Sequence, residues 1–275
     1  MLRSMYSGVS GMRGFQTKLD VIGNNIANVN TIGFKAGNVV FKDILSQTVS
    51  GVTPPSDGTV GGVNAKQIGL GVTIGSIETI HTPGSAQTTN VSTHLRIDGD
   101  GFFAVKTSPD QEVPYLTRAG NFTLDADRYL VNGDGMFVMN ADGGLGEPIQ
   151  LDAEVTAFSI AQDGTIIAVN ADGTSTPTDF KVGVVKVTNP GGLEKVGGNL
   201  YRNTLNSNLE QIVVQEAGNT EAGTGDIISG QLEMSNVDLT NEFTEMIVAQ
   251  RGFQANSRII TTSDEILQEV VNLKR

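Results

Sequence analysis

The sequence predicts an α+β protein of discontinuous architecture, in which the two termini form an α-helical coiled-coil domain and the middle of the chain forms an all-β outer domain. Three observations predict it. Near the carboxy terminus Leu239, Met246, Phe253, Ile260 and Leu267 fall one every seven residues, the spacing of a helix that packs lengthwise on another. Near the amino terminus Met5, Met12, Leu19 and Ile26 keep the same period. Between them, short apolar alternations are punctuated by Asp-Gly and Asn-Gly turns, and nothing from 43 to 235 reads as a third long helix.

The first helix is expected from about Ser4 to Asn28, with Leu2, Val9, Gln16 and Gly23 as a companion register that becomes polar or empty. Gly33 can supply the left-handed residue of its stop. Gly8, Gly11, Gly14 and Gly23 each weaken it by about 0.8–1.0 kcal/mol relative to Ala, so its helicity depends on packing. Phe41, Ile44 and Leu45 could continue a short helix. The stretch 36–80 carries Pro54-Pro55 and many glycines, including Gly58, Gly61 and Gly62, and reads as a linker or extended connection. Within it, Ile68, Leu70, Val72, Ile74 and Ile77 suggest one extended strand.

From 81 to 235 the pattern is β, with a small subdomain possible near 145–180. Asp98-Gly99, Asn132-Gly133, Asp142-Gly143, Asp163-Gly164 and Asp172-Gly173 recur between apolar runs, and such dipeptides tolerate the positive φ of tight turns. The sharper reading of these acidic turns is calcium, but neither the EF-hand spacing nor the calcium β-helix nonapeptide is present. The last helix is expected from Val237 to Leu273, about 55 Å at ~1.5 Å per residue. Ser235 and Asp238 offer a capping box, and Lys274 and Arg275 suit its end. Phe243 and Val271 add a companion register that Gln250, Ser257 and Asp264 make polar between them. Second stripes accompany both seams: Phe15, Ile22 and Val29 at one end, Ile259, Ile266 and Leu273 at the other. One helix pair covers one stripe, so the second implies helices of other molecules. The termini therefore form an inner domain from 1–35 and 236–275, whereas an ordinary amphipathic helix would be core within one domain.

Composition narrows the function. The chain has no cysteine, which removes disulfides and thiolate metal sites, and only 2 histidines. Its net charge is −12, unfavourable for nucleic acid or an anionic membrane. Residues 1–42 run the other way, with Arg3, Arg13, Lys18, Lys35 and Lys42 against Asp20 alone. No apolar run reaches membrane-spanning length, and no cleavable signal peptide is visible. The serine elbow, P-loop and His-Glu-x-x-His are absent. Neither His81 nor His94 has a paired acid motif, and Asp98 with Asp100 is a weak basis for a glycosidase pair. No catalytic, cofactor or metal residue is assigned, and no enzyme is expected.

The stretch Asn24-Asn25-Ile26-Ala27-Asn28-Val29-Asn30-Thr31-Ile32-Gly33-Phe34-Lys35 is the most specific in the chain. With Ser235-Asn236-Val237-Asp238-Leu239 and Gln250-Arg251-Gly252-Phe253-Gln254-Ala255-Asn256-Ser257, it resembles the terminal signatures of the bacterial flagellar rod and hook protein family. The motif residues are Asn24, Asn25, Ala27, Asn28, Thr31, Gly33, Phe34, Lys35, Gln250 and Arg251. The short body is most similar to the short hook protein of Gram-positive bacteria, with the distal rod protein second. A rod-associated peptidoglycan hydrolase is a remote third, since no segment is left over for such a domain. The resemblance implies a self-assembling helical homopolymer that transmits torque from rod to filament. It also implies neighbouring rod and hook-filament junction proteins, a hook cap, and passage through the flagellar type III export apparatus to the cell exterior. The glycines of 36–80 would permit the sliding contacts of a curved hook.

Overall fold

The computed structural model describes residues 2–55, 61–109, 111–141, 144, 146–152, 155–170, 174–209 and 212–273. The acid-glycine turns expected at 142–143 and 172–173, Gly58 and the terminal Lys274 and Arg275 lie outside them. The chain divides into two compact units: one of residues 1–27, 37–79 and 238–275, the other of 28–36 and 80–237. Both α and β structure are present, as expected. Among the described residues no helix is long and apolar enough to cross a membrane.

The first unit contains helix α1 (Leu2–Ala27), four strands and helix α2 (Leu239–Leu273). Strand β1 (Gly37–Asp43) pairs antiparallel with β4 (Val72–Thr79), and β2 (Ser46–Ser50) pairs with β3 (Lys66–Gly69). Of the stretch read as a linker or extended connection, with one strand at Ile68 to Ile77, the described residues are largely strand, and the helix considered for Phe41 to Leu45 is replaced by the end of β1 and its turn. Val39, Phe41, Ile74 and Ile77 are β-branched or aromatic, and the β1–β4 ladder with its bulge at Val40/Phe41 packs on α1. Phe41 is the main anchor: its ring lies 5.8 Å from that of Phe15 and fills the space beside Gly14, where a Cβ would come within 2.7 Å of it.

Helix α2 starts two residues later than expected. Asp238, not Ser235, caps it: its carboxylate accepts the Thr240 N–H at 2.9 Å, and its carbonyl accepts Glu242 N–H at 2.9 Å. Ser235 instead accepts the N–H of Val237 at 3.3 Å.

Among the described residues the second unit is all-β apart from a 3-10 turn at Pro190–Gly192. Strands β5 (Ala86–Thr88) and β6 (Leu95–Asp98) pair with the late strands Gln231–Glu233 and Asp226–Ser229. Strands β7 (Phe102–Lys106) and β8 (Tyr115–Thr117) lie at the centre of an eight-stranded antiparallel sheet. Every residue of β7 is buried. Its alternation shows why: Phe103 and Val105 enter one core with Leu95, Phe122 and Ile227, whereas Phe102 and Ala104 enter another with Leu116, Val185 and Tyr201. A strand covered on both faces is apolar, as Phe102 to Val105 are, and the buried Lys106 that ends it donates to Gly146 O at 3.2 Å. The 145–180 region holds a three-stranded sheet of Val155–Ile160, Thr165–Asn170 and Ser175–Lys181. Ile160 and Ile166 from it join the first of these cores, so it is not packed independently.

The acid-glycine turns behave as turns. Asn132 accepts the N–H groups of Asp134 and Met136, both at 2.9 Å, and Gly135 takes φ +79°. The Asp163 carboxylate accepts the Thr165 hydroxyl at 2.7 Å and the Thr165 N–H at 3.1 Å, which holds it below the usual carboxylate range. Among the described residues no three His, Asp or Glu side chains converge as metal ligands.

Candidate assembly interface

The two terminal helices run antiparallel. Gly8 lies against Ile260, Gly11 against Asn256 and Phe15 against Gly252, followed by the Lys18–Glu245 ion pair and Asn25 with Glu242. On α1 these positions are 8, 11, 15, 18 and 25, with buried Ile22 completing a heptad seam. The period was legible in the sequence, but the register differs from the expected one. The buried α2 residues are Ala249 and Ser263, three positions beyond Met246 and Ile260, where the sequence suggested the fourth. Neither is a large hydrophobe, so apolarity alone could not find them.

Small residues set this geometry. A Cβ on Gly252 would come 2.5 Å from the Phe15 ring, and one on Gly11 would come 2.7 Å from Asn256 Nδ2. Three of the four α1 glycines that weaken the isolated helix thus permit contact: Gly8 and Gly11 with α2, Gly14 with Phe41. Gly23 meets nothing within 4 Å.

The expected assembly residues lie at the flanks of this seam. Met5, Met12, Leu19 and Ile26 are half-buried, as are Met246, Ile260 and Leu267, while Leu239 and Phe253 are exposed. Ile260 packs on α1 at Gly8. The structure leaves a broad apolar surface on α2, where Phe243, Ile247, Val248, Ile259, Ile266 and Val270 are all exposed. Exposed apolar surface of this extent marks an interaction site.

The motif residues divide between the units. In the first, Asn24 and Ala27 are exposed, as are Gln250 and Arg251 on α2. Asn25 is buried and joins three elements: its amide oxygen accepts Gly37 N–H at 2.9 Å, and its Nδ2 donates to Gly37 O at 2.8 Å and Glu242 Oε1 at 3.0 Å. Burial pushes the Glu242 carboxyl above its usual range, opposed by that hydrogen bond.

Asn28 to Ala36 belong to the second unit, not to the helical domain that 1–35 was expected to form. Gly33 is left-handed at φ +70°, six residues after α1 ends, because its backbone passes Ala119 so closely that a Cβ would lie 2.6 Å from that N atom. Thr31 and half-buried Asn28 close the preceding turn through a 3.1 Å side-chain hydrogen bond. Phe34 is buried, and Lys195 Nζ sits 5.1 Å above its ring. Lys35 is fully buried and donates to Glu233 Oε1 at 2.5 Å and Thr82 O at 2.8 Å. Burial lowers its pKa, and the Glu233 carboxylate works against that shift. Arg118 reaches the other Glu233 oxygen at 3.3 Å. Asn236 completes the arrangement, accepting Ala36 N–H at 2.8 Å and donating to Ile80 O at 2.8 Å. Glu233 lies outside every motif of the sequence because, taken singly, it looks like an ordinary surface charge.

The remaining polar candidates are otherwise engaged. Asp98 pairs with Arg96 at 2.9 Å, His94 Nδ1 lies 2.9 Å from Thr89 Oγ1, and His81 packs against Phe102 and Tyr201.

Comparison with known proteins covers the same segments. Residues 5–35 match the model described as flagella basal body rod protein, 96–168 the flagellar hook protein FlgE/F/G D1 domain, and 228–273 the flagellar basal body rod FlgEFG protein C-terminal. The flagellar basal-body rod protein FlgG of Bacillus subtilis (strain 168) is 54% identical over 275 residues, covering 100% of both chains. The FlgG of Borreliella burgdorferi is 35% identical over 277, and the flagellar hook protein FlgE of the same organism 31% over 450, each covering 100% of both chains. Since relatives of both kinds align from end to end, and the matched segments include both the helix pair and the buried Lys35, this chain belongs to the flagellar rod and hook protein family.

Proposed function

We propose that the protein is the distal rod subunit of the flagellar basal body, a structural protein that polymerises with itself, and not the hook subunit. The observation that carries this reading is length-matched similarity: the rod relative aligns over 275 positions, whereas the hook relatives require 450 and 472 for the same chain. The chain lacks room for the additional sequence of those hook proteins. The strands at 37–50 and 66–79 point the same way. A Gly-rich coil would suit sliding contacts, but here β1–β4 and β2–β3 are hydrogen-bonded ladders. Every residue of β2 and β3 is exposed, and a two-stranded ribbon without a covered face gains stability only against a neighbour. Such a ribbon suits a straight, locked tube.

On this reading the apolar face of α2 is covered by neighbouring subunits. Adjoining rod and hook proteins continue the axis, and the flagellar export apparatus delivers the chain outside the cell. Antibody labelling of isolated hook–basal bodies tests the assignment. Label confined to the straight segment below the curved hook is expected, and label along the curved segment restores the hook reading.

A further inference from the structure

We propose that the carboxy-terminal end of α2 from one copy docks in a groove between α1 and β4 of the next, an inference that rests on the self-assembling reading above. The groove lies within the first unit. It has a volume of about 440 Å³ and is lined by Val9, Leu70, Val72 and Ile74, with Tyr6 and Arg13 at its sides. Tyr6 is 73% exposed and Arg13 is exposed.

The place where α1 runs out points to the occupant. Gly8 lies opposite Ile260, so at the common rise of two antiparallel helices α1, which starts at Leu2, runs out opposite about residue 266. Roughly the last two turns of α2 have no α1 beside them. An apolar row starts at the edge of that overhang with Ile266 and continues in it with Val270 and Leu273, exposed by 49%, 50% and 86%. The spacing i, i+4, i+7 is that of a helix laid into a groove. Its length fits too: the row spans roughly 10 Å, and the α1 wall from Tyr6 to Thr17 roughly 16 Å.

Charge selects the same pairing. Exposed Glu265 and Glu269 stand four apart beside the apolar row, and Arg13 is the charged residue of the groove wall. In the proposed complex the row is seated so that Glu265 or Glu269 faces Arg13, pairing opposite charges. Overhang and groove are different surfaces of one chain, so the contact is heterologous and propagates into an open helical polymer.

The natural chain has no cysteine, which permits a clean test with full-length protein. Val9→Cys chains are mixed with Val270→Cys chains under polymerising conditions and oxidised, and a disulfide-linked heterodimer is expected. In parallel, Arg13→Glu is expected to raise the concentration needed for polymer about tenfold or more, and Glu269→Arg in the same chain to restore it to within about twofold. Circular dichroism confirms that the variants keep their helices. Polymers that form without the heterodimer, or that are indifferent to Arg13→Glu, overturn the docking and leave self-assembly standing. Wild-type chains that remain monomeric at every concentration overturn both.

Discussion

At the scale of single residues, the buried charges of the second unit are the most sensitive points. Glu233 is the one anion between Lys35 and Arg118, so Glu233→Ala leaves two buried cations unpaired. It is expected to destabilise this unit by about 3–5 kcal/mol, read as a lowered urea midpoint. Lys35→Met removes one cation but leaves the Arg118–Glu233 pair, and a smaller loss is expected. Equal midpoints for the two variants would contradict the shared-anion geometry. His81 gives a separate pH dependence. Its pKa is lowered to about 4, first by burial and then by the nearby positive charge of Lys35, Lys195 and Arg118. The folded state therefore holds fewer protons than the unfolded state between about pH 4 and 6.5. The corresponding stability is complete above pH 6.5 and is lost as pH falls toward 4, by about 2 kcal/mol once screening of the partly exposed ring is allowed for. Thermal melting at pH 4.5 and 7.5, with and without His81→Phe, measures it, and the variant should lose that part of the pH dependence.

At the scale of elements, the helix pair shows how small residues specify contact. Gly252→Leu is expected to force α1 and α2 apart, costing about 1–3 kcal/mol and lowering the helical melting temperature. Gly23→Ala has no neighbour to displace and should raise helix stability by about 0.5–1 kcal/mol. If both substitutions shift melting in the same direction, the close approach is misassigned. Met246 and Ile260 remain proposed assembly residues. Met246→Asp or Ile260→Asp is expected to abolish polymerisation while leaving the β unit resistant to protease, because a charge buried at a helix contact has no partner.

At the scale of the whole molecule, the division into units predicts a specific protease-resistant fragment. Dilute protein treated with a broad-specificity protease should lose α1 before Asn28 and α2 after Val237. Residues 30–36 should survive, because Gly33, Phe34 and Lys35 are buried and Gly33 N–H donates to Glu233 O at 2.8 Å. Mass spectrometry of the fragments gives the boundaries. Early cleavage within 30–36 would contradict the assignment of that segment to the β unit.

The terminal helices, the β body, the turns at Asn132-Gly133 and Asp163-Gly164 and the family are legible in the sequence alone, because these depend on local information. Heptad spacing, Asp-Gly turns and the linear motif around Asn25 are all read within a few neighbouring residues. Only the tertiary structure decided the seam register, since the contact surface is made of Gly8, Gly11, Ala249, Gly252 and Ser263, whose value lies in what they let approach. It also decided the order of the 36–80 stretch, where each strand is stabilised by a partner distant in sequence. The most non-local feature is the buried Lys35–Glu233 pair. Its residues lie 198 positions apart, and no local pattern could indicate that two ordinary charges meet in the same desolvated site.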